Sequence, residues 1–281
     1  MNRVKRERQV QVVKALVEGN SINGIIRMTG VAKNTILKLL ADLGSVCLRY
    51  QDENLRGLQL THIQCDEIWE FCYAKEKNVP ARHKGEFGYG DIWTFVAIDA
   101  ETKLVPCWLV GYRDAGHAFE FLDDLRQRLA NRIQLTTDGH KMYLEAVEGA
   151  FGSHIDYAML VKLYGAEPAG EARYSPPRCT AAVPHAIQGY PDPKHISTSY
   201  VERQNLTMRM SMRRFTRLTN GFSKKVENHM YAIALHFMYY NFARAHKSLA
   251  SPYPRTPAMA AGIADHIWTA EEIVSLLDKS N

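Results

Sequence analysis

The chain has 281 residues, 46% of them hydrophobic, and a net charge of +5 at pH 7. That is enough for one sizeable core with a small accessory domain. The polar start "MNRVKRERQVQ" and the short, His236-interrupted run "YAIALHFMYYNFA" predict neither a secretory signal nor a spanning helix, so no membrane partner is expected. Cys47, Cys65, Cys72, Cys107 and Cys179 are odd in number, scattered, and contain no C-x-x-C pair. They suggest neither a disulfide framework nor a zinc knuckle, and a reducing cytoplasm is the expected location.

Charge is distributed unevenly. Residues 1–50 hold nine Lys/Arg against three Asp/Glu, residues 51–196 fifteen against twenty-one, and residues 197–250 nine against two. Two basic blocks around an acidic middle suit a polyanion such as nucleic acid at the flanks and cations at the centre. Solvated helix faces are the plainer reading of either block alone.

Taken in chain order, Val10, Val13, Leu16 and Val17 have helical spacing. Ser21 then precedes a helix carrying Ile22, Ile25 and Ile26 that breaks at Gly30, and a third helix runs through Ile36, Leu37, Leu39 and Leu40 to Gly44. Two helices around a glycine turn have the layout of a helix-turn-helix. Lys33, Asn34, Thr35 and Lys38 then lie on the exposed face of its second helix, where side chains reach bases and phosphates. The alternative is a small packing bundle with a polar outside. Residues 1–50 are thus expected to form a DNA-binding domain, joined by a linker over 51–61 to a larger core over 62–250.

In that core the periodicity becomes extended. "THIQCDEIWEFCYA", "DIWTFVAID" and "KLVPCWLVGY" read as strands, the last two joined by the turn "DAET", in which Asp99 is the first turn residue. "HAFEFLDDLRQRLAN" reads as a helix, "RIQLTTD" as a strand, "HKMYLEAVEGAF" as a helix and "HIDYAML" as a strand. This order predicts an α/β fold with a mixed sheet. Residues 164–195 hold six of the eleven prolines and are expected to be one long loop. Helices resume at Ser197 and after Gly221, and a tail over 251–281 is expected to carry a short helix.

Metal-dependent phosphoryl transfer needs carboxylates converging from different elements, because Mg²⁺ and Mn²⁺ take oxygen ligands. Asp66 lies inside the first strand, and alternation points it opposite to Glu67, so one of the two faces a site. Asp138 ends a strand beside Gly139, where ligands of α/β sheets collect, although a turn role is equally open. Glu202 follows Ser199 in a Ser-x-x-Glu pattern that is by itself a capping box. His140, His154 and His246 are scattered and form no H-x-x-x-H pair.

"QCDEIWEF", "LTTDGHKMY" and "SYVERQNLTMRM", in that order behind a helix-turn-helix, resemble the DDE transposases of bacterial insertion sequences, of the type with Asp-Glu-x-Trp and Glu-Arg-x-Asn motifs. The ending "YYNFARAHKSL...YPRTPAMAAGI" is also similar to the close of that family's catalytic core. The resemblance spans about residues 8–263. It implies an RNase H-like core in which Asp66, Asp138 and Glu202 bind two divalent ions, Mg²⁺ or Mn²⁺, for cleavage at element ends and strand transfer into target DNA. Glu202 stands 64 positions after Asp138, a wide gap for the family, and Glu167 or Glu171 in the loop are the other candidates for third ligand.

Asn205 and Arg209 share a helix face with Glu202, within reach of the scissile or an adjacent phosphate, and Arg213, Arg214 and Arg217 extend a basic track for DNA. From the family alone, a homo-oligomer of at least two chains is expected. Two other readings remain open. One is an RNase H-like nuclease or resolvase that cuts without joining, and the other is a catalytically decayed DNA-binding regulator.

Overall fold

The computed structural model describes residues 4–165, 179–216 and 219–278. Within them a six-stranded mixed sheet has the order β3-β2-β1-β4-β5-β6. β1 (His62–Cys72), β2 (Gly90–Asp99) and β3 (Trp108–Gly111) form an antiparallel meander. β4 (Gln134–Asp138) pairs parallel to β1, and β5 (Asp156–Tyr164) parallel to β4. The connections are α4 (Ala115–Arg128) and α5 (Met142–Phe151), as parallel pairing requires.

Strand alternation divides the core between the two sheet faces. Ile63 and Cys65 of β1 join Phe95 and Ala97 of β2 in a cluster with Phe121 and Leu122 of α4 and Tyr143 of α5. On the other face Ile68, Val96 and Ile98 pack with Val201 and Met208 of α6 (Ser199–Ser211) and Phe237 of α7 (Val226–Met238). No described helix is long and apolar enough to cross a membrane. The five cysteines are free thiols, all buried except Cys179.

Two sequence expectations are corrected here. The stretch 164–195 is not one loop, because β6 (Cys179–Gln188) pairs antiparallel with β5 along that strand. Nearly all of β6 is exposed on both faces, so no buried side imprints an alternating pattern on its sequence. It is an edge strand, which explains how it accommodates Pro184 opposite Leu160. The third strand is also shorter than expected. Leu104 and Val105 are buried outside any strand, where the Asn241 side chain accepts from the Val105 amide at 3.1 Å and donates to its carbonyl at 2.9 Å. Asp99 does open the turn, accepting from the Thr102 amide at 2.8 Å.

The three N-terminal helices are α1 (Arg6–Val17), α2 (Ile22–Thr29) and α3 (Lys33–Asn54). Ser21 caps α2 by accepting from the Gly24 amide, and Gly30 ends it in the left-handed conformation at φ 67°. α3 does not stop at Gly44 but continues to Asn54, covering the first residues of the expected linker. Gly44 lies against α7, where a Cβ would stand 2.4 Å from the Cβ of Tyr231. Gln51 then bridges the same pair of helices, its Nε2 donating to the Ala234 carbonyl at 3.0 Å. After α7 come α8 (Pro257–Ala260) and α9 (Ala270–Ser275). Arg6 of α1 donates to the Val274 carbonyl of α9 at 2.8 Å, so α9 packs back on the start of the chain.

The buried Gln64 of β1 anchors α6, its Oε1 accepting from the amides of Tyr200 at 2.8 Å and Val201 at 3.2 Å. These are first-turn amides that the helix itself leaves unpaired. Two stability predictions follow from these contacts. Gly44→Val should cost about 2 kcal/mol in urea unfolding, since the added carbons collide with α7 backbone. Gln64→Ala should cost about 1–2 kcal/mol by removing the cap. An unchanged midpoint in either variant would contradict the packing described.

Candidate active site

β1 outruns β4. Their parallel pairing ends at Cys65↔Thr137, and the next residues, Asp66 and Asp138, stand side by side where β4 stops. Oxygen atoms of Asp66, Glu67 and Asp138 all lie within 4.8 Å of one another. The expectation that only one of Asp66 and Glu67 faces the site is corrected by this geometry. Their side chains leave β1 on opposite faces, yet at the open strand end both reach the neighbourhood of Asp138.

Each carboxylate has different partners. Asp66 Oδ2 accepts from Asn205 Nδ2 of α6 at 2.9 Å, while Asn205 Oδ1 is buried without a hydrogen-bond partner among the described residues. The Glu67 side chain is fully buried. It accepts from the Tyr143 hydroxyl at 2.9 Å and from Arg113 Nε. Arg113 also lies 3.8 Å from Asp138 Oδ2, its guanidinium over the Trp93 ring at 4.7 Å. Asp138 Oδ1 accepts from the His140 amide at 3.0 Å, which sets the turn into α5.

The electrostatics follow from this crowding. Burial, with the charges of Glu67, Asp138 and Glu202 added, pushes the Asp66 carboxyl up to about 7. Burial and Asp138 also raise Glu67, against the opposing pull of Arg113 and Tyr143. Like charges held together raise carboxylate pKa values in this way, and a cation bound among them reverses the effect. The donors are carboxylate oxygens, two from inside β1 and one from the end of β4, the chemistry that Mg²⁺ and Mn²⁺ prefer, so the cluster can hold such an ion.

Glu202 lies outside the 4.8 Å group. It sits on the first turn of α6, paired with Lys162 of β5 and accepting from the Thr198 hydroxyl. The Ser199 capping box does not form, because Thr198 is the N-cap residue and Gln64 takes the first amides. Glu202 is therefore not held as a cap, and its charge is felt at Asp66. Glu167 and Glu171 lie outside the described residues, as does Arg217.

The expected DNA contacts divide into several environments. Lys33, Asn34 and Lys38 are exposed and Thr35 partly so at the start of α3, with Lys38 2.7 Å from Asp42. Lys33, Arg213, Arg214 and Lys224 line one cavity of about 360 Å³ between the N-terminal helices and the segment after α6. Arg209 lines a second, of about 480 Å³, with Trp69, Phe71 and Phe222. Arg214 departs from the expected surface track. It turns inward to donate to Ser223 Oγ at 2.7 Å, and burial pushes its guanidinium down to about 10. Gln64, Arg113, Tyr143 and Lys162 were not expected from the sequence. Of these only Arg113 carries a local signal, as a lone cation just beyond the β3 strand end.

No family model matches the chain, and no curated protein matches it. Among solved structures, a piggyBac transposase synaptic complex with hairpin DNA aligns over 98% of this chain and 71% of its own, at 12% identity and a TM-score of 0.37. A Mos1 strand transfer complex aligns over 85% of this chain and 76% of its own, at 11% identity and a TM-score of 0.25. A Mos1 mariner paired end complex with Mn aligns over 53% and 58%, at 12% identity and a TM-score of 0.21. At such TM-scores these are distant likenesses.

Proposed function

We propose that this protein is a DNA transposase of the DDE type, a metal-dependent enzyme that cleaves DNA at element ends and joins the freed ends to target DNA. The observation that carries this reading is the meeting of Asp66, inside β1, with Asp138 at the end of the adjacent parallel strand β4, with the charge of Glu202 reaching Asp66 from a helix anchored on β1. The three motifs that resemble the family centre on these three residues.

Asp66, Asp138 and Glu202 would hold the divalent ions, two in number on this reading, as Mg²⁺ or Mn²⁺. Bound there, the metal supplies Lewis acidity for an attacking water or 3′-hydroxyl and for the leaving oxygen. The chain's own residues prepare the site. Asn205 fixes the orientation of the Asp66 carboxylate, and Arg113 with Tyr143 holds Glu67 in place. Lys162 holds Glu202 near β5, from which it must part to act as a ligand. Lys33, Asn34, Thr35 and Lys38 on α3, with Arg209 and Arg213, supply contacts to DNA, and at least two chains assemble on a pair of ends.

The test is strand transfer with end-containing DNA and Mg²⁺. Asp66→Asn, Asp138→Asn and Glu202→Gln should each reduce joining about 10³-fold or more, the several kcal/mol a metal centre contributes. Asp66→Asn should melt no lower than the parent at neutral pH, because it removes a repelled carboxylate. Normal joining by Asp66→Asn would sink the assignment. Hydrolysis without joining would point to a nuclease, and DNA binding with neither reaction to a regulator.

Metal binding should also be linked to protons. Metal-free Asp66 titrates at about 7, so its folded pKa lies above the unfolded one. Its ionisation therefore weakens the metal-free fold as pH rises from the ordinary carboxylate range through about 7. A bound cation reverses that penalty. Mn²⁺ affinity should climb by up to about tenfold per pH unit below 7 and level off above it, with proton release at about pH 6 and little at about pH 8. Calorimetry in buffers of different ionisation enthalpy measures this, and pH-independent binding would contradict it.

A further inference from the structure

A second group of metal-ligating side chains lies at the start of β1. His62 begins the strand, Glu101 stands in the turn between β2 and β3, and His195 ends the 3-10 turn Pro193–His195. Ligand atoms of all three lie within 4.8 Å of one another. The two imidazoles are stacked, with centroids 3.8 Å apart and planes 2° from parallel, and His62 Nδ1 is 2.6 Å from Glu101 Oε1. Four residues of strand separate His62 from Asp66, about 13 Å at the usual rise, so this group is distinct from the acidic cluster.

We infer that His62, Glu101 and His195 form a binding site for a zinc-class divalent transition metal, which ties the segment leading into α6 to the start of the central strand β1. Two imidazoles and one carboxylate are a donor set for Zn²⁺, Co²⁺ or Ni²⁺, whereas Mg²⁺ and Ca²⁺ favour all-oxygen sites. Three protein ligands leave a fourth position for water.

Two of the three ligands have polar neighbours of the kind that orient metal ligands from outside. Thr61 Oγ1 donates to Glu101 Oε2 at 2.8 Å, and Asp192 Oδ2 stands 4.0 Å from His195 Nε2. The His195 turn is itself clamped to β4. The Asp192 amide donates to Gln134 Oε1 at 2.7 Å, and Gln134 Nε2 donates to the Asp192 carbonyl at 3.1 Å. A shared ion requires the two rings to turn from face to face toward one point. The side chains are 24% and 43% exposed, which leaves room for that rotation. Such an ion would cross-link three segments distant in sequence, and Thr198, the N-cap residue of the helix bearing Glu202, follows three residues after His195.

The test uses the full chain carrying Asp66→Asn and Asp138→Asn, so that the acidic cluster does not contribute. Titration with Co²⁺ should give one ion per chain with visible ligand-field bands. These should disappear on adding Zn²⁺ and persist in excess Mg²⁺, and Zn²⁺ should raise the melting temperature. His62→Gln and His195→Gln should each weaken Co²⁺ binding about tenfold or more and abolish the Zn²⁺-induced shift, while melting like their parent in EDTA. Glu101→Gln, in an exposed turn, carries the same expectation if either histidine variant fails to fold. His266→Gln, beside Asp265 and Glu272 on a distant surface, should change nothing. Absence of Co²⁺ binding, or binding undiminished in the ligand variants, would overturn the site without bearing on the DNA reaction.

Discussion

Holding Asp66, Glu67 and Asp138 within 4.8 Å of one another is the constraint around which the other elements are arranged. Three carboxylates at that spacing repel unless protons, cations or hydrogen-bond donors compensate them. The fold recruits a compensating group from each side: Arg113 from beyond β3, Tyr143 from α5, and Asn205 from α6. Asp66 is compensated by neutral donors, the Asn205 side chain and the Glu67 amide, and it is the carboxyl whose pKa rises to about 7. The metal-free site thus retains the charge imbalance that a divalent ion would remove.

β1 makes this arrangement possible by serving both faces of the sheet. One face carries Gln64 and Asp66 toward α6, and the other carries Cys65 and Glu67 toward α5. Because Gln64 takes up the first amides of α6, the helix that bears Glu202 and Asn205 is positioned by the same strand that bears Asp66. A side chain on a packed strand or helix is held more narrowly than one on a loop. Glu202 is the exception, held by Lys162 rather than by the cluster. A metal held by His62, Glu101 and His195 would be a second fastening on the same path, at the start of β1.

The N-terminal helices are not set apart from this core. Close contact at Gly44 and the Gln51 bridge join α3 to α7, and Arg6 joins α1 to α9. Val12, Ile25, Val31 and Ile36 also form a small core of their own, so these helices combine an internal cluster with a firm seat on the α/β unit. The exposed first turn of α3 therefore has a fixed direction relative to the sheet, and Lys33 shares a cavity with Arg213 and Lys224.

The sequence by itself determined the elements with a buried side. α1, α2, α4 and α5 carry apolar residues at helical spacing because one side of each is buried, while β1, β2, β4 and β5 stand out as runs of apolar and β-branched residues, β1 and β2 because both of their faces are covered. It also singled out Asp66 and Asp138, since a carboxylate within or at the end of an apolar strand is costly unless it has a use. Tertiary structure alone decided the rest. β6 has no buried face to reveal it, and its edge pairing depends on β5. The Ser199–Glu202 pattern satisfies a local capping rule, yet the Glu202 amide that Ser199 would have capped donates to the Thr198 carbonyl, and the first amides of the helix go to Gln64, 136 positions before Tyr200. Glu67 joined the cluster because β1 extends past β4, a matter of strand register. Arg214 turned inward because Ser223 and a buried pocket lay beneath it. Local periodicity records which side of an element is buried, but not which distant side chain will meet it there.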